Sequence, residues 1–485
     1  MSTDYVGAPS ATGDFVLRDV TVVDVTDGTH AGGQDIRVTG GAIASIGATG
    51  RQTTDIPVVE GSGAFVVPGY VDSHAHALND PGEVAGAYAL MLANGITGFR
   101  QMSGSPQLLQ DRRAGRLPAP PGAPALLATP GTLLTPMNSG TPAAAAAEVR
   151  AQQEQGADFI KAGMTSHDTF LAALAEAGRI GIPLAGHLPG DLDPRDAARG
   201  GMRCIEHLGP GVTVFAATCS CEAEIRSAPP REIKLPKLKL PGMDRVLDRV
   251  LRQLVVNPAV ITKPSDAYSL ELADASFDQQ RAVDLAALFV EHETWHCPTL
   301  IRLHTQQFAD EPEHSADPRL RFIAPHEIAR WRKATAKFTT LPDATRQALR
   351  AHWPTQLRLT KTLSDAGVPL LAGTDAGGAG WVIPGFALHD EFDLLAAAGL
   401  APLKILQAAT AAPARFLGLA SVAGRVAPGY RADLVLLGRD PLGGGPQEGH
   451  RALRDITAVV RAGHLWSRPD LDAVLARAEA SPAAK

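Results

Sequence analysis

The two ends of the chain share one pattern, in which short apolar runs alternate with polar residues and end at Gly, Pro or Asp. Near the N-terminus these runs are FVLRDVTVVDV and DIRVTGGAIASIG, and near the C-terminus they are GRVAPGYRADLVLLG and DITAVVRAGHLW. Alternation of this kind predicts short β-strands. Because the ends of a chain often lie close together at the surface, we expect residues 1–67 and 416–485 to combine into one small β-sandwich.

The middle of the chain, residues 68–415, alternates apolar runs with helical stretches. We predict eight strands, which are FVVPGYVDSH, ITGFRQM, PALLATPG, DFIKAG, IPLAGHL, CIEHLG, TWHCPTL and PLLAGTDA. Helical stretches such as AAAAAEVRAQQEQG and TFLAALAEAGRIG separate them, and the second one ends on a glycine, as helices often do. This order predicts an α/β fold, a (β/α)8 TIM barrel. A doubly wound open sheet is the alternative, but the Gly-rich turn that usually follows its first strand is missing from the sequence.

One stretch, from about residue 210 to 284, interrupts the alternation. Its segment PPREIKLPKLKLPGMDR is rich in Pro and locally basic, which does not fit a simple strand–helix unit. We interpret this stretch as an insertion whose residues Lys234 to Lys239 cover the mouth of the barrel, since long irregular loops in compact domains are often lids. A solvated surface excursion is the alternative.

Composition and charge narrow the possible partners. The 485 residues carry a net charge of −6, which argues against a protein that binds nucleic acid through phosphate contacts. Four cysteines are too few for a disulfide framework in a chain of this length. The sequence shows no signal peptide and no apolar run of membrane-spanning length. We therefore expect a cytoplasmic homo-oligomer that acts on a small-molecule substrate, with neither nucleic acid nor membrane as a partner.

Two histidines, His74 and His76, end the first strand of the predicted barrel. Residues two apart on a strand point to the same face, so both imidazoles can enter the barrel interior. Lys161, His187 and His207 follow, at spacings of 26 and 20 residues. Each of the three, like Asp375 near the end of the chain, stands at the C-terminal end of a predicted strand. Barrel active sites are built at that end, and burying such groups without partners would be costly. The pattern therefore predicts a metal site.

The motifs around these residues are VPGYVDSHAH, GADFIK, AGHL, IEHL and GTDAG, and the tail LHDEFDLLAAAGLAPLKILQAATAAPARFLGL leads into GRVAPGYRADLVLLGRDPL. With them the chain resembles the amidohydrolase superfamily, in particular its imidazolonepropionase-like and prolidase-like branch. The resemblance covers nearly the whole chain apart from the first residues and the insertion. It implies a barrel that carries one or two divalent metals, beside a β-sandwich formed by the two ends.

The resemblance also implies a set of metal ligands. His74, His76 and Asp375 would bind the more buried metal, and His187 and His207 would bind the second. Lys161 would be carboxylated and bridge the two, because a free ammonium has no lone pair to offer a cation. Imidazole and carboxylate ligands suit Zn²⁺ best, and they also admit Mn²⁺, Co²⁺, Ni²⁺ or Fe²⁺.

Two further residues are weaker candidates for substrate binding. Arg100 ends the second barrel strand, where relatives often have Arg followed by Asp, although here Gln101 replaces the Asp. Its guanidinium would suit an anionic substrate group, and a structural ion pair is the alternative. His296 lies on the seventh strand beside Cys297, and alternation predicts that one of the two faces the barrel interior. Core packing is the alternative for His296.

The function that this resemblance implies is metal-dependent hydrolysis of a C–N bond in an amide, a dipeptide or an N-acyl amino acid. A hydroxide bridging the two metals would attack the carbonyl, and Asp375 would act as general acid and base. The same centre could also hydrolyse a cyclic amide, a lactone, a carbamate or an organophosphate. A non-catalytic scaffold is a remote alternative, since such proteins usually lose ligands and this chain retains all six.

Overall fold

The computed structural model describes residues 11–50, 55–209, 211–227, 255–445 and 448–480. Its strands, in chain order, are β1 (Phe15–Val23), β2 (His30–Thr39), β3 (Ala42–Ala48), β4 (Val58–Glu60), β5 (Phe65–Pro68), β6 (Tyr70–Ala75), β7 (Ile96–Gln101), β8 (Ala125–Ala128), β9 (Ile160–Ala162), β10 (Leu184–Gly186), β11 (Cys204–Glu206), β12 (Trp295–Cys297), β13 (Leu434–Leu437), β14 (Ile456–Arg461) and β15 (His464–Ser467). Its α-helices are α1 (Val84–Ala93), α2 (Pro106–Arg113), α3 (Pro142–Glu154), α4 (His167–Ile180), α5 (Pro194–Arg199), α6 (Thr213–Ala216), α7 (Glu222–Ser227), α8 (Pro264–Ala275), α9 (Gln279–Glu291), α10 (Leu300–Gln307), α11 (Pro312–Ala316), α12 (Pro325–Phe338), α13 (Asp343–Ala351), α14 (Trp353–Asp365), α15 (Phe386–Ala397), α16 (Pro402–Ala409), α17 (Ala411–Phe416) and α18 (Arg468–Ala480). Short 3₁₀ helices lie at Pro258–Ile261, Pro318–Phe322 and Gly449–Arg454.

The strands from both ends of the chain form one eight-stranded sheet. Its order is β15-β14-β13-β5-β1-β2-β3, and β4 pairs with β1. Alternation along β13 explains its two faces, because Leu434 and Leu436 join the apolar cluster of this sheet while Val435 and Leu437 join the main core. The two ends of the chain thus contribute to one common sheet, as the predicted β-sandwich requires.

The middle of the chain alternates parallel strands with helices, as its apolar runs predict. Strands β6, β7 and β8 form one parallel sheet, and β9 to β12 form a second. Parallel bridges at Pro130–Phe159, Ala75–Ala376 and His296–Leu370 join the edges of these sheets, the last two through the extended segment of residues 369–376. These seven strands and the extended segment correspond to the eight predicted runs. The predicted α/β fold is confirmed, with parallel strands and helices that alternate in the order expected of a (β/α)8 barrel, beside a sheet formed by both ends of the chain.

The predicted helices end where local chemistry stops them. Helix α3 begins with Pro142 in its first turn, after Thr141, whose hydroxyl accepts a hydrogen bond from the Ala144 amide. Helix α4 ends at Gly181, whose φ of +75° is the left-handed conformation that glycine adopts without strain.

The insertion between β11 and β12 is only partly described. Its described residues form helices α6 to α9 and the 3₁₀ helix at Pro258–Ile261. Residues Lys234 to Lys239, which we expect to cover the mouth of the barrel, lie outside the described residues. All four cysteines are free thiols. None of the helices in the described ranges is long and apolar enough to cross a membrane.

Candidate metal centre

The strand ends bring four histidines and one aspartate together. The imidazole rings form a chain of neighbours, with centroids 5.6 Å apart for His74 and His76, 4.5 Å for His74 and His207, and 5.1 Å for His187 and His207. Asp375 closes the group, because its Oδ1 lies 2.8 Å from His76 Nε2 and 3.3 Å from His74 Nε2. The side chains of His74, His207 and Asp375 place their ligand atoms close enough to hold one metal ion.

The motif GTDAG allows the strand that carries Asp375 to come this close. A Cβ on Gly373 would lie 2.7 Å from His74 Cβ, and a Cβ on Gly377 would lie 2.9 Å from the His76 carbonyl oxygen. Between these glycines, Asp375 has a φ of +64°, and at the end of β11 His207 has a φ of +59°. Residues other than glycine adopt this conformation uncommonly, and it recurs at active sites.

Three of the four histidines have their Nδ1 atoms held by protein groups. His74 Nδ1 lies 2.7 Å from Glu206 Oε2, His76 Nδ1 lies 2.9 Å from Ser103 Oγ, and His207 Nδ1 lies 2.5 Å from Thr299 Oγ1. An imidazole whose Nδ1 is engaged in this way turns its Nε2 towards the centre. Partners of this kind orient metal-binding histidines in other proteins.

Gln101 helps to hold the partner of His76. Its side-chain amide donates to Asn79 Oδ1 at 3.0 Å and to the Ser103 carbonyl at 3.1 Å, and the Ser103 hydroxyl also contacts Asn79. The residue that replaces the expected Asp after Arg100 is therefore part of a hydrogen-bond network behind His76.

Three histidines of the site, His74, His187 and His207, are held in the neutral form. Burial is the main cause that lowers the pKa of His74, His187 and His207, and the positive charge of Lys161 or Arg302 lowers it further. A neutral His74 carries one ring N–H. With this proton on Nδ1, the ring donates a hydrogen bond to the ionised carboxylate of Glu206. Its Nε2 then presents a lone pair towards the carboxylate of Asp375. Lone pairs that converge from imidazoles and a carboxylate fit a divalent cation.

Asp375 remains ionised in this environment. Burial alone would raise the pKa of its carboxyl, but the positive charge of Arg302 opposes burial, and this pKa is held well below its usual range. Arg302 forms an ion pair with Asp375 through Nε and Oδ2. Sequence reasoning missed Arg302, because a single arginine in the helical run LIRLHTQQ looks like an ordinary solvated residue.

Lys161 lies in the middle of β9, buried beside the same group of residues. Its Nζ has no hydrogen-bond partner among the residues that the structure describes. Burial is the main cause that lowers the pKa of Lys161 to about 8, with the nearby carboxylates of Glu206 and Asp375 opposing it. A buried amine without a partner is unfavourable as it stands, which fits the expectation that Lys161 is modified.

Arg100 is occupied by protein atoms. Its Nη2 donates to Glu206 Oε1 at 2.7 Å and its Nε donates to the Ser73 carbonyl at 2.6 Å, while Phe159 and Phe416 lie beside the guanidinium. The side chain is only 1% exposed. This is the structural ion pair that the sequence left as the alternative to substrate binding. Glu206, which links Arg100 to His74, was missed although it stands beside His207 in the IEHL motif.

His296 points away from the site, and Cys297 points towards it. The His296 ring lies 4.7 Å from the ring of Phe289 on helix α9, whereas Cys297 Sγ lies near ligand atoms of His74 and Glu206. Burial lowers the pKa of His296 to about 3, so this ring is a neutral part of the core. The expectation that one of the pair faces the interior holds for Cys297, and the contacts of His296 favour core packing over substrate binding.

Comparisons with known proteins agree with this architecture. The bottromycin amidohydrolase structure matches with a TM-score of 0.68 at 24% identity, covering 98% of this chain and 93% of that one. A putative prolidase from Bifidobacterium longum matches with a TM-score of 0.59 at 20% identity, covering 96% of this chain and 99% of that one. At these identities the likeness shows a shared fold.

The sequence comparisons match shorter segments. An adenine deaminase from Rubrobacter xylanophilus is 34% identical over 100 residues, which are 19% of this chain and 16% of that protein. The chain thus matches less than a fifth of the length of this curated relative. Residues 334–464, which include Asp375, match the model of the amidohydrolase family. This match and the shared fold confirm the resemblance to the amidohydrolase superfamily that the sequence motifs indicate.

Proposed function

We propose that this protein is a metal-dependent hydrolase that cleaves the C–N bond of an amide, a dipeptide or an N-acyl amino acid. The observation that carries the proposal is the convergence of the His74 and His76 imidazoles on the buried, ionised carboxylate of Asp375. Such a set of donors binds divalent cations, and it lies at the strand ends where barrel enzymes place their active sites.

We assign the donor set to two groups of ligands, as the resemblance implies. His74, His76 and Asp375 would hold one divalent ion, and His187 and His207 would hold a second. We expect Zn²⁺, with Mn²⁺, Co²⁺, Ni²⁺ or Fe²⁺ as possible replacements. When bound, such ions polarise the scissile carbonyl and make water acidic enough to lose a proton near neutral pH.

Lys161 would join the two groups as a carbamate. Because burial lowers the pKa of Lys161 to about 8, a useful fraction of the side chain is a neutral amine at mildly alkaline pH. A neutral amine can add to carbon dioxide, losing a proton and forming a carboxylated lysine. The product has two acceptor oxygens where the unmodified side chain has only donors.

Asp375 would move the proton during hydrolysis. Its carboxylate is ionised and can take a proton from the attacking water. The causes that hold its pKa low also make the protonated form a strong acid, so it can deliver the proton to the departing nitrogen. This delivery matters because an amide nitrogen leaves poorly without a proton.

Replacing Asp375 by Asn tests this role. The variant should lose at least about 10²–10⁴-fold in kcat on amides, the range that acid–base catalysis contributes. Activated aryl esters should lose less, since their leaving groups need no proton. Metal content is measured beside kcat, so that loss of metal is not mistaken for loss of proton transfer. A variant that keeps its metals and near-normal amide turnover contradicts the assignment.

The substrate class is tested by screening the metal-loaded protein against dipeptides, N-acyl amino acids, lactones, aryl carbamates and organophosphates. We expect hydrolysis of a dipeptide or an N-acyl amino acid. Cleavage of only the oxygen-linked or phosphorus compounds would move the proposal to the alternative hydrolase on the same centre. If the purified protein binds no divalent ion and cleaves none of these compounds, the non-catalytic scaffold is the better description.

A further inference from the structure

Arg302 is a second buried arginine of the site, and its surroundings differ from those of Arg100. It is the third residue of helix α10, which begins just after β12. Its Nε pairs with Asp375 Oδ2, on the side of the carboxylate opposite to the contacts of His74 and His76 with Oδ1. Arg302 therefore lies beside the residue that we propose to move the proton.

The guanidinium of Arg302 has spare hydrogen-bonding capacity. Arg100 has contacts at both Nε and Nη2 and is 1% exposed, whereas the side chain of Arg302 is 10% exposed. Within the described part of the chain, its Nη atoms form no hydrogen bond to another residue, and Asp375 is its ion-pair partner. The outer edge of the guanidinium is thus available to a ligand.

The helix that carries Arg302 is firmly held. Glu391 Oε2 accepts a hydrogen bond of 2.7 Å from the Ile301 amide in the first turn of α10. The Ile301 side chain packs in a cluster with Ala376, Ala379 and Val382, which follow Asp375 along the chain. Asp375 and Arg302 are therefore fixed relative to each other, and a pre-positioned guanidinium loses little entropy when it binds a partner.

The free edge of a guanidinium fits one ligand chemistry best. Its two Nη groups donate in parallel to the two oxygens of a planar carboxylate. A carboxylate held there would lie within a guanidinium's width of Asp375, and hence close to the departing nitrogen. In an N-acyl amino acid or a dipeptide, the carboxylate is attached to the carbon that bears that nitrogen, which matches this short separation.

We propose that Arg302 binds the substrate's α-carboxylate and so selects N-acyl amino acids and dipeptides with a free C-terminus. This inference rests on the proposed function and makes it narrower. Neutral amides lack the group that Arg302 recognises, and they should be poor substrates for the same centre.

The test compares pairs of compounds that differ only in this carboxylate. Each N-acetyl amino acid of a panel is assayed beside its C-terminal amide by following acetate release. Wild-type protein should favour the acid by about 10- to 100-fold in kcat/KM, the value of one charge-assisted bidentate contact. Arg302→Gln should lose most of this preference, and Arg302→Lys, which keeps the charge without the planar fork, should retain part of it.

The ratio of kcat/KM for the acid to kcat/KM for the amide separates recognition of the carboxylate from a general loss of activity. Any effect of Arg302 on Asp375 changes kcat/KM for both compounds of a pair by the same factor, so it cancels in the ratio of the two values. Arg346→Gln is the matched control, since this arginine pairs with Asp310 and Asp343 outside the site and should leave the ratio unchanged. An unchanged ratio in Arg302→Gln, or a wild-type enzyme without preference for the acid, overturns the inference.

A binding measurement keeps the inference testable apart from turnover. Calorimetry compares the binding of each free amino acid and its amide to the metal-loaded protein, with and without Arg302→Gln. The amino acid should bind more tightly only when Arg302 is present, and equal binding in both proteins refutes the inference. If no N-acetyl compound is cleaved, the proposed function fails, and this comparison still decides the role of Arg302.

Discussion

Replacing Glu206 by Gln should destabilise the protein far more than the loss of an ordinary glutamate, because one buried carboxylate serves two groups. Oε1 accepts a hydrogen bond from Arg100, and Oε2 lies 2.7 Å from His74 Nδ1. The glutamine amide can supply only one acceptor oxygen, so its NH₂ group must face one of these two donors. The substitution also leaves the positive charge of Arg100 buried without a counter-charge.

The size of the effect follows from the burial of both partners. Glu206 is fully buried and Arg100 is 1% exposed, so water cannot replace the lost contact. Removing one partner from a buried ion pair costs about 3–5 kcal/mol. The exposed pair of Arg203 and Glu293, at 3.0 Å with the glutamate 78% exposed, offers the contrast. Glu293→Gln should change the free energy of unfolding by no more than about 1 kcal/mol.

The assay is unfolding in urea, followed by the fluorescence of the five tryptophans. A double variant, Arg100→Met with Glu206→Gln, should recover much of the lost free energy, since no buried charge then lacks a partner. Metal affinity is measured on the same proteins, and Glu206→Gln should lower it by about 10- to 100-fold, as the loss of such ligand-orienting partners does. If the free energy of unfolding of Glu206→Gln lies within about 1 kcal/mol of the wild-type value, the buried ion pair contributes no more than an exposed one.

Two further predictions concern other buried ionisable groups. Lys161→Ala should bind fewer than two divalent ions per chain, measured by elemental analysis, because no carbamate can form. The control Lys337→Ala, at an exposed lysine, should leave the metal content unchanged. Two ions still bound to Lys161→Ala would exclude a bridging role. Burial raises the pKa of Glu391 to about 8 from 4.5, so the folded protein holds a proton that the unfolded chain releases between these values. The free energy of unfolding should therefore fall as pH rises through this window, by up to about 1.4 kcal/mol per pH unit, and Glu391→Gln should remove this contribution; equal slopes in both proteins contradict it.

The sequence predicts the strands, and the clustering of polar side chains at their ends, because both depend on local patterns. The apolar runs that end in His74, His187 and His207 can be recognised one strand at a time, and the parallel order brings their ends together. The segment of Asp375 is predicted equally well, although it lies in an extended stretch joined by bridges rather than in a regular strand.

The groups that control charge in the site could not be predicted in this way. Glu206 precedes His207 and would be expected to point to the opposite side of its strand, yet its carboxylate reaches both Arg100 and His74. Arg302 comes from a helix, and its approach to Asp375 depends on how that helix packs on the loop after Asp375. Such contacts join residues far apart in the sequence, and no local pattern records them. The same limit applies to His296 and Cys297, where a shift of one residue in register exchanges the two faces.

The pairing of β5 has a consequence for how the chain is made. This strand lies between β1 and β13, so one of its edges is covered only by a strand from the far end of the protein. Pro68 and Leu434 are separated by 365 residues. At the usual pace of synthesis the ribosome needs roughly 20 to 70 seconds to cover that distance. During that interval the open edge of β5 can pair with another nascent chain. Yield during expression should therefore depend on chaperones and on the speed of translation, even when the finished protein is stable.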